Sequence, residues 1–124
     1  PFSDNQFQTV VSITMLEFVE DIEGVINEAD RVLAPGGTLI LGCLNALSEV
    51  GKNKDNDPVF KHGRFLTPEA VKGMLSRFGN PILSEGVYLS QDYQLLDKTS
   101  LQNTVQPVFI AASVKKIKGY GNNC

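Results

Sequence analysis

Apolar residues fall into two kinds of run along this chain. The first kind is short, β-branched and almost unbroken: Thr9–Thr14 (Thr-Val-Val-Ser-Ile-Thr) and Thr38–Cys43 (Thr-Leu-Ile-Leu-Gly-Cys). Such runs predict strands buried on both faces of a parallel sheet, with Phe7 packing where the first begins. The second kind repeats at helical spacing. Ile22, Val25, Ile26, Ala29, Val32 and Leu33 form one stripe. Asp21 stands where a helix N-cap is needed, and Glu20 and Glu23 suit the positive end of the helix dipole. Gly24 costs about 1 kcal/mol relative to Ala and weakens the first turn. Ala34-Pro35-Gly36-Gly37 predicts the stop, because Pro cannot continue a helix and Gly accepts positive φ. Gly36-Gly37 follows a helix rather than a strand, so it reads as a cap and not as a phosphate loop. Strand, helix, strand is a βαβ unit with a right-handed crossover.

The second half is less regular. Leu44–Val50 has room for a short helix. Gly51–Pro58 is polar and turn-rich, which predicts an exposed loop, and a connection as long as 44–64 is usually functional or mobile. Thr67-Pro68-Glu69 is a helix start, with Val71, Met74, Leu75 and Phe78 as its buried stripe and Gly79 as its end. Ile82–Leu89 and Val108–Val114 read as two more strands. Ser90–Gln106 stays unassigned, Lys115, Lys116 and Lys118 read as a solvated strand end, and residues 119–124 read as a loose tail.

Composition narrows the function classes. The chain has 124 residues, 42% hydrophobic and 20% charged, with 11 Lys and Arg against 14 Asp and Glu. One domain over 1–118 is the natural count, and a chain of this size buries roughly two thirds of its unfolded surface. A net charge of -3 argues against a nucleic-acid partner and against a polybasic membrane-surface protein. No apolar run approaches the ~20 residues of a membrane span. The absence of a charged-then-apolar leader and the two widely separated cysteines point to a reducing, cytoplasmic setting. One His and two distant Cys give zinc no ligand set, so no metal is expected. The chain opens on Pro1, which fits either a removed initiator Met or a piece cut from something longer.

Four blocks, in order, carry a resemblance. They are Pro1-Phe2-Ser3-Asp4-x-x-Phe7 with Val10-Val11, then Leu16-Glu17-Phe18-Val19-x-Asp21, then Glu28, then Arg31–Ile40 (Arg-Val-Leu-Ala-Pro-Gly-Gly-Thr-Leu-Ile). Together they resemble the central stretch of class I S-adenosylmethionine (SAM)-dependent methyltransferases, and within them the small-molecule branch that includes the ubiquinone/menaquinone-biosynthesis type. The match runs from Pro1 to about Cys43, and Phe65-Leu66-Thr67-Pro68-Glu69 agrees more weakly. Phe18 stands where that family often has His, and Gln8 where it usually has Asp.

The resemblance implies an α/β, partial Rossmann-like methyltransferase sheet with flanking helices. Thr9–Thr14 would be the fourth strand, Thr38–Cys43 the fifth, and the last two runs the sixth and seventh, the last antiparallel. It also implies that the first three strands are missing, and with them the Gly-rich turn and the acidic residue that hold the cofactor. The chain then reads as the C-terminal half of a methyltransferase acting on a small-molecule acceptor and inactive alone. The alternative is a non-enzymatic methyltransferase-like module that oligomerises or pairs with a partner chain.

By the same resemblance, Ile13, Thr14, Met15, Leu16 and Phe18 border SAM, since ligands of open α/β sheets bind beyond the carboxyl ends of the strands. Glu17 is a candidate for a substrate amine or a plain helix cap. Asn45 follows the fifth strand on the substrate side of the 44–64 loop, and His62 is a candidate proton acceptor or a lone surface His. Cys43 reads as a small buried apolar residue. Methyl transfer from a sulfonium is an in-line displacement that needs proximity and orientation more than a triad. Without a first strand beside it, Thr9–Thr14 is an apolar edge free of charge and Pro. Such an edge recruits a copy of the chain or a chain carrying the missing half.

Overall fold

The computed structural model describes residues 2–89, 94–96 and 106–117. Among these residues, four strands form one sheet in the order β1-β2-β4-β3: β1 is Phe7–Ile13, β2 Leu33–Leu44, β3 Ile82–Gly86 and β4 Phe109–Lys115. β1 and β2 run parallel, pairing Val10 with Leu39 and Ile13 with Gly42. β4 lies antiparallel between β2 and β3. Helices α1 (Ile22–Val32), α2 (Glu49–Lys52) and α3 (Pro68–Ser76) are the α-helices among the described residues.

The helix starts follow from their caps. The Asp21 carboxylate accepts from the Gly24 N–H at 2.9 Å, and the Thr67 hydroxyl accepts from the Ala70 N–H at 3.1 Å, with Pro68 at the first helical position. Alternation along the strands then decides which face they cover. Leu39, Leu41 and Cys43 of β2 register with Val114, Ala112 and Ile110 of β4, and all six are buried with Ile26 of α1 and Val71 and Leu75 of α3. Both helices therefore pack on one face of the sheet. The opposite face is less covered: Ile82 is 70% exposed, and Ile40, Phe109 and Ala111 are only half-buried.

Several expectations are corrected. β1 is not buried on both faces, because it is the last strand of the sheet and Val11 and Ile13 are 55% and 51% exposed. It ends at Ile13 rather than Thr14, since Thr14 turns to φ +49° and leaves the strand. Ala34–Gly37 is not a separate cap turn. The chain passes from helix to strand at Leu33, and Gly36 at φ +82° absorbs an irregularity that offsets the register between Phe7 and Thr9. β3 stops at Gly86, because Val87 takes φ +61°, a conformation that β-branched residues rarely adopt. Gly51–Pro58 is not wholly loop: α2 reaches Lys52, and Lys54–Asn56 forms a 3-10 turn. α3 ends at Ser76, and Gly79 serves instead as a close approach to the Lys115 carbonyl, where a Cβ would stand 2.5 Å away.

The largest correction concerns Lys116. It is 5% exposed, and its ammonium donates to the carbonyl oxygens of Asp30 (2.7 Å) and Leu33 (2.9 Å) and lies 3.0 Å from Asp30 Oδ1. These carbonyls belong to the end of α1, where backbone acceptors lack helical partners and a cation is favoured. Lys115 beside it is exposed, as expected. Lys118, the tail 119–124 and most of Ser90–Gln106 lie outside the described residues. No described helix is long and apolar enough to cross a membrane.

Candidate functional site

The parallel pair β1 and β2 brings two carboxyl ends side by side, and the candidate residues sit there. Beyond Ile13, the Thr14 N–H donates to the Gly42 carbonyl at 2.7 Å, which holds the positive-φ residue against β2. A 3-10 turn, Leu16–Phe18, follows. Its residues divide by direction. Leu16 is fully buried in the core cluster, while Met15 is 42% and Phe18 44% exposed.

Glu17 is buried, which neither sequence reading anticipated. One carboxylate oxygen, Oε2, accepts from the Leu44 N–H at 2.5 Å, and the other has no hydrogen-bond partner among the described residues. Its main-chain carbonyl accepts from the Arg64 N–H at 2.7 Å. Next to it, the Phe18 ring lies so close to Gly63 that a Cβ there would stand 2.9 Å from Cε1. Glu17 thus ties the turn after β1 both to the end of β2 and to the segment that returns from the 44–64 connection. Helix capping does not describe this arrangement: the cap of α1 is Asp21, and the Glu17 carboxylate is turned inward.

Cys43, one residue before Leu44, is buried as expected. Burial, with Glu17's charge second, pushes its thiol up from 9.0 to about 12. It is therefore not a nucleophile at neutral pH.

Asn45 is also fully buried. Its amide nitrogen donates to the Pro107 carbonyl at 2.9 Å, its amide oxygen accepts from the Leu47 N–H at 3.0 Å, and its backbone N–H donates to the Val108 carbonyl at 2.8 Å. Asn45 and Leu66 also form an isolated parallel bridge. The amide is engaged in fastening the loop after β2 to the segment that leads into β4. His62 is exposed on a 3-10 turn, Phe60–His62, immediately before Gly63. The structure thus gathers Thr14, Met15, Phe18 and Gly63 at one rim. It places Glu17 and Asn45 beneath that rim as fasteners.

A groove of about 260 Å³ runs between α1 and β1, lined by Val10, Ser12, Met15, Leu16, Val25 and Ile26 among others. It is apolar apart from Glu28 and Ser12, and the buried Ser12 hydroxyl has no partner among the described residues. A methyl donor of the SAM kind needs an apolar or aromatic wall and a carboxylate for its sugar hydroxyls. The rim offers the wall through Met15 and Phe18. Glu17, the carboxylate of this turn, is buried and already held by Leu44. The described residues therefore fit one side of such a cofactor. Among them, no three His, Cys, Asp or Glu residues come together as a metal site.

The comparisons with known proteins agree with this geometry. Residues 1–41 match the methyltransferase domain family. An uncharacterized protein of Methanocaldococcus jannaschii is 30% identical over 122 residues, covering 94% of this chain and 60% of its own length. A Thermotoga maritima SAM-dependent methyltransferase, described as a possible histamine N-methyltransferase, superposes with a TM-score of 0.73 at 24% identity, over 94% of this chain and 59% of its own. A SAM-dependent methyltransferase of Archaeoglobus fulgidus does so with a TM-score of 0.70 at 14% identity, over 93% and 62%. The chain therefore has the α/β fold of SAM-dependent methyltransferases, a mixed open sheet of four strands with flanking helices, and it spans about 60% of the length of the relatives it matches.

Proposed function

We propose that this chain is the acceptor-side portion of a SAM-dependent methyltransferase that methylates a small molecule, with the cofactor's main grip supplied by polypeptide outside it. The observation that supports this reading is the rim after β1. Thr14, Met15 and Phe18 stand open beside the end of β2, fixed from below by the Glu17 carboxylate on the Leu44 N–H. SAM supplies an activated methyl on a sulfonium when bound. The chain's own residues then have to position and exclude water rather than donate or store charge.

On this reading Ile13, Thr14, Met15 and Phe18 border the cofactor, and Leu16 fills the core behind them. Glu17 and Asn45 position the rim without touching substrate. His62 is the exposed base at its outer edge, available when the acceptor must lose a proton.

The test is a nuclear magnetic resonance titration of this chain with millimolar SAM. Weak, saturable shifts of the Thr14–Phe18 amides are expected, reduced by Phe18→Ala, with α3 unmoved. Shifts confined to other elements, or none at all, would overturn the proposal.

A further inference from the structure

Arginine reads planar anions well, because its guanidinium is always charged and presents its donors in a rigid fork. The arginines of this chain are used in two ways. Arg31 pairs with Asp4 at 2.8 Å and with Glu28, and Arg77 lies 3.6 Å from Glu23 and 3.5 Å from Asp30. Arg64 is exposed and has no carboxylate partner among the described residues. Its Nη2 donates to the Glu20 carbonyl at 3.0 Å, and its backbone N–H donates to the Glu17 carbonyl at 2.7 Å.

These two bonds fix where Arg64 stands. Both acceptors belong to the stretch between β1 and α1, and the Phe18 ring between them closes on Gly63. The guanidinium is thereby held at the rim, at the carboxyl end of the parallel pair, where open α/β sheets take ligands. The bond to Glu20 engages one donor and leaves one bidentate edge of the fork open. Glu20 offers its carbonyl and not its carboxylate, so the charge is not compensated there. The neighbourhood in sequence is also basic. Lys61 and His62 precede Arg64 on the exposed turn Phe60–His62, no acid occurs from Pro58 to Pro68, and Lys61 has no carboxylate partner among the described residues. This is a local reversal in a chain of net charge -3.

We propose that Arg64, with Lys61 beside it, is the specificity determinant of this site, and that the methyl acceptor carries a carboxylate or a phosphate. The open edge of the Arg64 fork takes two oxygens of that group, and the half-exposed Phe18 ring walls the apolar body attached to it. Arg64 selects and orients the acceptor and takes no part in the transfer itself.

Inorganic phosphate, titrated into the chain at constant ionic strength and followed by nuclear magnetic resonance, tests this without SAM. The Arg64 Nε–H and the Gly63 amide should shift saturably over about 1–50 mM. Arg64→Gln should weaken binding at least about tenfold by removing the bidentate pair, and Arg64→Lys should restore part of it, since a point charge replaces the fork. Lys61→Gln keeps both tethers of Arg64 and should weaken binding roughly threefold, as one exposed charge does; it serves as well should Arg64→Gln not fold. Equal phosphate binding by the wild type and these variants, or shifts centred on Lys115, would overturn the proposal. SAM has a carboxylate of its own and methylthioadenosine has none, which separates acceptor from cofactor. Phosphate retained at Arg64 while SAM shifts the Thr14–Phe18 amides supports the acceptor. Phosphate displaced by SAM and not by methylthioadenosine would give the fork to the cofactor and overturn the proposal. Calling the anion an acceptor rests on the methyltransferase reading, so a chain that binds phosphate through Arg64 and ignores SAM would refute that reading and leave the anion site standing.

Discussion

Replacing Lys116 with Met removes a buried ammonium and keeps most of its aliphatic stem. The ammonium serves three oxygens: the Asp30 and Leu33 carbonyls and the Asp30 carboxylate. The carboxylate suffers least, because its side chain is 28% exposed and Arg77 lies 3.5 Å away. The two carbonyls suffer most. Leaving a buried acceptor unsatisfied costs about 1–3 kcal/mol each, and not having to desolvate an ammonium returns part of that. A net loss of about 3 kcal/mol follows. With an unfolding entropy of roughly 2.1 cal/mol/K per residue over 124 residues, it lowers the melting temperature by about 10 °C. Lys115→Met is the control, since an exposed lysine at a strand end is worth within about 0.5 kcal/mol. Urea unfolding followed by circular dichroism measures both variants at one protein concentration. Equal losses for the two variants, or a Lys116→Met loss under about 1 kcal/mol, would refute the account of Lys116 as the clamp of α1 on β4.

Three further outcomes follow from the structure. In a Cys124→Ser background, Cys43 should resist a thiol reagent at pH 8 until denaturant is added, because burial keeps its thiol protonated; rapid modification of the folded chain would contradict this. The same shift has a defined sign. The folded thiol's value is raised above its ordinary 9.0, so its contribution to stability is intact below pH 9. It is lost as pH rises from there toward about 12, which unfolding curves at pH 8 and pH 10.5 would reveal. Gly24→Ala should forfeit the ~1 kcal/mol that Ala usually gains in a helix, because the new Cβ would stand 2.5 Å from Oδ2 of Asp21, the carboxylate whose Oδ1 caps α1. A double-mutant cycle checks this: the gain should reappear in an Asp21→Ala background, and equal effects in both backgrounds would rule the clash out.

Local sequence determined the elements whose signals are local. The α1 stripe, the Asp21 and Thr67 caps and the apolar cores of β1, β2 and β4 depend on residues within one or two turns of each other. The matched blocks between Pro1 and Cys43 pointed to the fold for the same reason, as they are contiguous. The strand ends at Ile13 and Gly86 lay beyond such signals, since Thr14 and Val87 adopt positive φ that their own side chains disfavour.

Tertiary structure decided which charges are inside. Glu17 and Lys116 both sit in stretches where an exposed charge is the default reading. Each is buried because its partner comes from a distant part of the chain: Leu44 for the first, the end of α1 for the second. Asn45 follows the same logic, its amide engaged by Pro107 across 62 positions. Apolar periodicity says which face of an element turns inward. Only the assembled sheet says which backbone groups arrive there without partners, and those groups decide which polar side chains are buried with them.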